Sequence, residues 1–463
     1  MFINREKELA SLRKLKNSGK FEMAVVYGRR RVGKTTLLKE FSKEMESIFF
    51  VCDEVNEKMM LRNFSEVVLE HFGQKDTLSP FESWEKAIRF VGTKAKEKRL
   101  LLVIDEYPYL ANASSYFPSL LQRLIDHELL ETKLYLVLCG SSVSFMESEV
   151  LGSRSPLFGR RTAQIRVEPF TYREASLFFP ELSNEEKITA YGILGGIPQY
   201  LQKWNQHLPY KENIANNFLD TSAYLYAEPR FLLRQELREP SLYNTIIESI
   251  AQGASRLNEI STRVGEPNDK TAKYIATLLN LNILGREVPV TEKNTSRKAI
   301  YYIRDNLFKF WYTFVFPNLS LIETGMTEEL LNKKIADGLS KYLGLAFENI
   351  CREYLSYKSV RGELPFRITK LGKWWGNNPA TKKEEEIDLL GLGDNQIIIG
   401  ECKWTNARVG VGELERLREK GSLIACEDRI FVIFSKRGFT ADLEELAARD
   451  ASVYLVTLDD LFA

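Results

Sequence analysis

Five short strand-forming runs alternate with helical stretches over the first 170 residues: MAVVYG from Met23, IFFVC from Ile48, LLLVIDEY from Leu100, LYLVLCGS from Leu134 and AQIRVEP from Ala163. Their near-continuous hydrophobicity marks strands buried on both faces. Helices between them predict parallel pairing in a βαβ arrangement, because a parallel neighbour is reached only by a crossover. The rhythm commits this part of the chain to an α/β domain.

The whole chain has 463 residues, room for three domains, give or take one. We read residues 1–170 as the α/β core and 171–240 as a small helical lid, broken by GGIPQYL from Gly195. Residues 241–318 carry SLYNTIIESIAQG, LNEISTRVG, a third amphipathic helix opened by Asn268 or Asp269, and a ribbon, REVPVTEKNTSRKAIYYI. Two short helices, a third helix and a two-stranded ribbon outline a winged helix, with the aromatic helix after it. Residues 334–463 mix a helix, strands and a terminal αβ pair, a mixed α/β domain.

Gly28-Arg29-Arg30-Arg31-Val32-Gly33-Lys34-Thr35 fits the phosphate-binding pattern GxxxxGK[ST], and it falls between the first strand and the helix KTTLLKEF. The glycines Gly28 and Gly33 let backbone N–H groups curl around phosphate oxygens, and the helix N-terminus adds its positive dipole end. Lys34 would reach the β and γ phosphates and the Thr35 hydroxyl would coordinate Mg²⁺, with Thr36 completing the nucleotide-binding set. Further on, Asp105 ends an apolar strand and Glu106 follows it. Asp105 is placed to hold Mg²⁺ and Glu106 to polarise an attacking water. ATP and Mg²⁺ are therefore the expected cofactors. The Arg29–Arg31 run has no evident phosphate role.

GRRRVGKTT, VIDEYPYL, LCGSS, FGRRT and GGIPQYL together resemble the AAA+-related P-loop ATPases of archaea and some bacteria, relatives of the signal-transduction ATPases with numerous domains. The resemblance extends over nearly the whole chain. It implies that Asn4 to Glu8 lie near the adenine, that Ser141 is a polar sensor, and that Pro198 contacts the nucleotide from the lid. It also implies an arginine finger, for which Arg160 and Arg161 are the candidates.

Lys+Arg of 64 against Asp+Glu of 63 leaves a net charge of +1, so affinity for nucleic acid has to come from a local patch. Between Arg263 and Arg304 eight basic residues (Arg263, Lys270, Lys273, Arg286, Lys293, Arg297, Lys298, Arg304) face four acidic ones, a local net of +4. Lys270 and Lys273 share a face of the third helix, the element that would enter a major groove. Winged helices also dock proteins, so DNA and a protein both remain readings of this patch.

In EEEIDLLGLGDNQIIIGECKW a tight turn at Asp394-Asn395 joins two strands. If the turn has two residues, Asp388 lies directly opposite Glu401, and Lys403 shares their face. Two carboxylates with a lysine alongside can bind one or two Mg²⁺ and orient a water at a phosphodiester. The spacing resembles the PD-(D/E)xK nuclease motif, although Ile387 stands where that motif has its proline. That resemblance implies Glu348, in the preceding helix, as an additional acid and metal ligand beside Asp388 and Glu401.

The N-terminus lacks the apolar core of a signal peptide, and the stretch from Leu307 is broken by Lys309 and Pro317. Five scattered cysteines in apolar surroundings suit buried free thiols in a reducing cytoplasm. Three histidines and no close cysteine pair argue against zinc. These features describe a cytoplasmic, multi-domain α/β ATPase that couples nucleotide state to DNA binding and to metal-dependent cleavage. The competing reading is an ATP-gated switch whose C-terminal domain binds nucleic acid or protein without cutting. A homo-oligomer or a protein partner fits either; a membrane fits neither.

Overall fold

The computed structural model describes residues 2–463. It divides into two compact units, one formed by residues up to Pro169 with Ile197–Gln199, the other by Phe170–Gly196 with Tyr200–Ala463.

The first unit is built on β1 (Glu22–Tyr27), β2 (Ser47–Val51), β3 (Leu100–Asp105), β4 (Leu134–Gly140) and β5 (Ala163–Arg166). All neighbours run parallel, in the order β2-β3-β4-β1-β5. Every residue of β1, β3 and β4 is buried, as their unbroken apolar runs require, whereas edge strands β2 and β5 are partly exposed. Asn56 and Ser83 accept hydrogen bonds from Met59 and Lys86 N–H groups and so start the helices Glu57–His71 and Trp84–Glu97. Their apolar faces pack on the sheet through a chain of rings, Phe50–Phe64–Trp84–Phe117, with centroids 5.1, 5.2 and 5.1 Å apart. The carboxyl ends of β1, β3 and β4 open together, which is where an open parallel sheet presents its ligand site.

The second unit begins with the helices Tyr172–Ser176 and Asn184–Leu194, each opened by a reciprocal capping box, Thr171 with Glu174 and Ser183 with Glu186. Gly196 then passes so close to Phe170 that a Cβ would lie 1.8 Å from the Phe170 carbonyl oxygen. Helices Pro240–Ala251, Leu257–Val264 and Asn268–Asn280 are followed by an antiparallel ribbon of β6 (Leu284–Glu287) and β7 (Ile300–Ile303). The third helix starts at Asn268, and Pro267 before it supplies no side-chain cap. A helical run from Asn306 to Glu323 buries Phe308, Phe310, Trp311 and Tyr312, and the Trp311 indole donates to the Tyr226 carbonyl at 2.7 Å. It is the packed aromatic helix expected from sequence.

The long helix Ala336–Val360 precedes β8 (Lys370–Asn377), β9 (Glu384–Leu392), β10 (Gln396–Lys403), β11 (Asp428–Ser435) and β12 (Val453–Val456). Their order is β12-β11-β10-β9-β8, parallel from β10 to β12 and antiparallel at β8–β9 and β9–β10. The β9–β10 ladder pairs Leu392 with Ile397 and Leu389 with Gly400, and Gly393 N–H donates to the Gln396 carbonyl at 2.9 Å. The turn thus has two residues, and Asp388 and Glu401 occupy the next positions along the adjoining strands. All five cysteines are free, but only Cys52, Cys139 and Cys351 are buried; Cys402 and Cys426 are half-buried, which corrects the expectation of five buried thiols. Both lie in the C-terminal sheet region, at a strand end and a connecting loop, where apolar neighbours in sequence do not ensure cover.

Candidate nucleotide site and carboxylate cluster

The loop after β1 owes its shape to two backbone demands. Gly28 has φ +153°, and a Cβ there would stand 2.3 Å from the Val167 carbonyl oxygen. Gly33 has φ +92° and immediately precedes the helix Lys34–Ser42. A Cβ on Gly33 would lie 3.7 Å from Pro198 Cγ, so Pro198 borders the loop. The buried Lys34 ammonium donates to the Gly28 and Arg29 carbonyls at 2.8 and 3.1 Å, curled over the loop that phosphates would fill. Thr36 is exposed on the first turn of the helix.

The Thr35 hydroxyl donates to Asp105 Oδ2 at 2.6 Å, and Asp105 is almost fully buried. A hydroxyl beside a carboxylate is a hard-oxygen pair, the donor set that suits Mg²⁺, and these are the residues that would hold it. Asp105 Oδ1 accepts the Glu106 N–H at 3.0 Å. Glu106 sits in the left-handed region at φ +51°, a strained conformation for a residue with a side chain. Its carboxylate is held by Ser141, whose hydroxyl and N–H donate to Oε2 at 2.8 and 3.3 Å. Lys34, Thr35, Asp105, Glu106 and Ser141 therefore meet at one end of the sheet.

The two candidate finger arginines differ. Arg160 is fully engaged: Nε and Nη2 donate to the Asp126 carboxylate at 2.8 and 2.6 Å, and Nη1 donates to the Pro156 and Phe158 carbonyls. Among the described residues Arg161 makes no ion pair and stands over the Phe158 ring, 5.9 Å from its guanidinium carbon. Arg5, within the stretch placed near the adenine, is buried at φ +75° and donates to the Val32 and Glu168 carbonyls, both at 2.8 Å. It ties the N-terminus to the phosphate loop, a role no local pattern announces. Arg30 reaches the Tyr109 hydroxyl at 3.4 Å, and Arg31 adopts φ +73°.

In the second unit, Asp388 Oδ2 accepts the Cys402 N–H at 2.9 Å. Burial, then the neighbouring Glu401 and Glu348 carboxylates, push the Asp388 carboxyl up to about 7. Glu401 is bridged by Lys403 at 2.8 Å and Lys420 at 3.3 Å, and Lys403 also pairs with Glu413 at 3.0 Å. Glu348 pairs with Lys373 at 2.5 Å, and Lys373 extends to Glu386 at 3.1 Å. Burial depresses the Lys373 ammonium, but the two glutamates outweigh it and hold the group above its usual range. Sequence reading missed Lys373 and Lys420, because neither lies in the strand pair that carries the motif. Among the described residues no group of three or more His, Cys, Asp or Glu side chains is arranged to hold a metal ion.

The basic patch is only partly available. Lys270 pairs with Glu266 at 2.8 Å and Lys298 with Glu292 at 2.7 Å. Arg286 donates to the Asn294 and Ser296 carbonyls, and Arg263 to those of Ser249 and Gln252. Lys273, Lys293 and Arg297 are exposed and have no ion-pair partner among the described residues. Among the described residues no helix is long and apolar enough to cross a membrane.

A family model described as an ATPase domain predominantly from Archaea matches residues 2–204, and one described as archaeal and bacterial proteins of unknown function matches residues 311–416. Uncharacterized protein MJECL04 of Methanocaldococcus jannaschii is 33% identical over 444 residues, covering 94% of this chain and 96% of that protein. Uncharacterized ATP-binding protein MJ0423 of the same organism is 51% identical over 41 residues, 9% of this chain and 70% of that one. Among solved structures, the Walker-type ATPase paby2304 of Pyrococcus abyssi superposes with a TM-score of 0.51 at 20% identity, covering 67% of this chain and 96% of its own, and so shares the fold. With a nucleotide loop, an Asp-Glu strand end and a full-length relative all in agreement, the chain belongs to the archaeal-type P-loop ATPase family and is an ATP-hydrolysing enzyme.

Proposed function

We propose that this ATPase works with Mg²⁺ held by Thr35 and Asp105, and that its nucleotide state governs a DNA-binding winged helix and a metal-dependent nuclease centre. In this reading Glu106 orients the attacking water, Lys34 neutralises the transferring phosphoryl group, and Arg161, rather than the engaged Arg160, supplies any arginine finger. Residues 171–240 act as the lid, 241–318 as the winged helix with its aromatic helix, and 334–463 as the nuclease-like domain. The recognition helix is Asn268–Asn280, and Lys273, Lys293 and Arg297 make its phosphate contacts. DNA is the proposed partner, and a second copy of the chain is the natural donor of a finger in trans.

The observation that carries the nuclease assignment is that Asp388 and Glu401 stand one position beyond the Leu389–Gly400 pair on adjoining strands, with Lys403 at 2.8 Å from Glu401. An acid whose proton is held up to about 7 beside a second carboxylate is ready to exchange that proton for a divalent ion. Labelled single- and double-stranded DNA incubated with Mg²⁺ or Mn²⁺, with and without ATP, tests it. Cleavage should appear with metal and vanish in Asp388→Asn. Cleavage that survives both Asp388→Asn and Lys403→Ala sinks the assignment.

A second reading rests on the lysines. Glu348 and Glu401 are already neutralised by Lys373, Lys403 and Lys420, an arrangement that suits a site binding a phosphate backbone without cutting it. DNA retention without cleavage, weakened by Lys403→Ala, would favour this switch.

A further inference from the structure

A cavity of about 590 Å³ lies within the second unit, lined by the ribbon strand β7, the aromatic helix, the long helix Ala336–Val360 and β8. That volume suits one small ligand. Its walls carry the rings of Tyr302, Phe314 and Tyr342, and two lysines, Lys309 and Lys341, face into the same space. Neither lysine has an ion-pair partner among the described residues. The Lys309 ammonium stands over the Tyr342 ring, 5.5 Å from its centroid. The carboxylates of the cavity, by contrast, each have a direct ion-pair partner: Glu287 has Arg352 at 2.7 Å, and Glu348 and Glu386 share Lys373.

From this unequal partnering we infer that the cavity is a binding site for a nucleoside phosphomonoester, its phosphate on Lys309 and Lys341 and its base against the Tyr302, Phe314 and Tyr342 rings. Two ammonium groups without a direct ion-pair partner among the described residues match a phosphate dianion, and stacking on aromatic faces is the general way a base is held without sequence preference. Burial pulls the Lys309 ammonium down to about 8, Glu348 raises it and Lys373 lowers it, so burial outweighs the one nearby carboxylate. The same chemistry comes from a free nucleotide or from the phosphorylated end of a nucleic acid strand. The strand-end form rests on the nucleic-acid reading above: the cavity shares β7 with the ribbon, and Glu348 and Lys373 with the carboxylate cluster around Asp388.

The test uses the full chain carrying Lys34→Ala, so that the nucleotide loop does not contribute, and measures binding of thymidine 5′-monophosphate and of a 5′-phosphorylated oligonucleotide. At least one probe should bind, and Lys309→Met or Lys341→Met should weaken it by about tenfold or more. Lys341 lies at the exposed mouth, so its variant keeps the test valid if Lys309→Met fails to fold. Binding of the mononucleotide alone identifies a free nucleotide as the ligand; binding of the oligonucleotide alone, or its loss on removing the 5′-phosphate, identifies a strand end. No binding of either probe, or binding indifferent to both lysine substitutions, overturns the inference. Duplex DNA binding through Lys273 and Arg297 is a separate measurement, so loss of the DNA reading leaves a Lys309-dependent mononucleotide site standing.

Discussion

The Ser141 hydroxyl donates to the Glu106 carboxylate at 2.8 Å, and the Ser141 N–H supports the same oxygen at 3.3 Å. The residue after β4 thus decides where the carboxylate of Glu106, the proposed water-polarising group just after β3, points, and does so against the strain of a left-handed Glu106. Glu106→Gln should bind ATP normally and lose turnover by roughly 10²–10⁴-fold, the usual worth of a general base. Ser141→Ala removes only the orienting bond and should lower kcat by less, with KM nearly unchanged. Steady-state ATPase assays with an equilibrium nucleotide-binding measurement separate the two; unchanged turnover in Glu106→Gln would refute the assignment.

Gly28 cannot be replaced cheaply. A Cβ would meet the Val167 carbonyl at 2.3 Å, and that backbone is fixed because the Val167 N–H donates to the Tyr27 carbonyl at 2.7 Å. Gly28→Ala should destabilise the ATPase unit by roughly 1–3 kcal/mol, the range for overpacking a fixed site. It should also abolish nucleotide-induced thermal stabilisation, because the loop has to move to relieve the clash. Differential scanning calorimetry with and without ATP is the check.

DNA affinity should not draw equally on the basic residues of the ribbon region. Lys273 has no ion-pair partner among the described residues, so Lys273→Ala should reduce the log–log salt slope by about 1. Lys270 is paired with Glu266, so Lys270→Ala should change the slope less, and Glu266→Gln should strengthen binding by releasing the ammonium. Fluorescence anisotropy across a salt series reads all three. A slope near zero for the parent chain would instead favour a protein-docking role.

Glu353 brings a pH dependence. It is half-buried in the second unit, where it accepts the Tyr172 N–H at 3.1 Å and the Tyr191 hydroxyl at 3.2 Å. Burial pushes its carboxyl up to about 7; those two bonds lower it, Glu174 raises it and Arg304 lowers it. The folded value stands above the ordinary carboxylate value of about 4.3, so the folded state binds the proton more tightly than the unfolded one. Its stabilising contribution is complete below about 4 and is lost as pH rises through about 7. Denaturant titrations of the parent chain should therefore show stability falling over that window. Glu353→Gln, whose amide oxygen keeps one of the two acceptor positions and whose amide nitrogen does not titrate, should flatten the fall; an unaltered pH profile would remove Glu353 as its source.

The strands of the first unit were legible because each is buried on both faces and so shows as an unbroken apolar run, while the phosphate loop announces itself through glycines that have to turn and a lysine and threonine at one helix start. The Asp388–Glu401 juxtaposition was likewise legible, since a two-residue turn leaves one register to an antiparallel pair. Partnership was not. Arg160 and Arg161 are adjacent and chemically identical, yet Asp126, 34 residues before Arg160, engages only the first. Lys270 and Lys273 look alike on one helix face, and Glu266 divides them. Lys373 and Lys420 reach the carboxylate cluster from elements outside the motif, and Arg5 clamps the phosphate loop from the N-terminus. Periodicity and turn chemistry are local, so one sequence determines elements and register; which charge meets which counter-charge is a matter of distances across elements, and only the tertiary structure decides it.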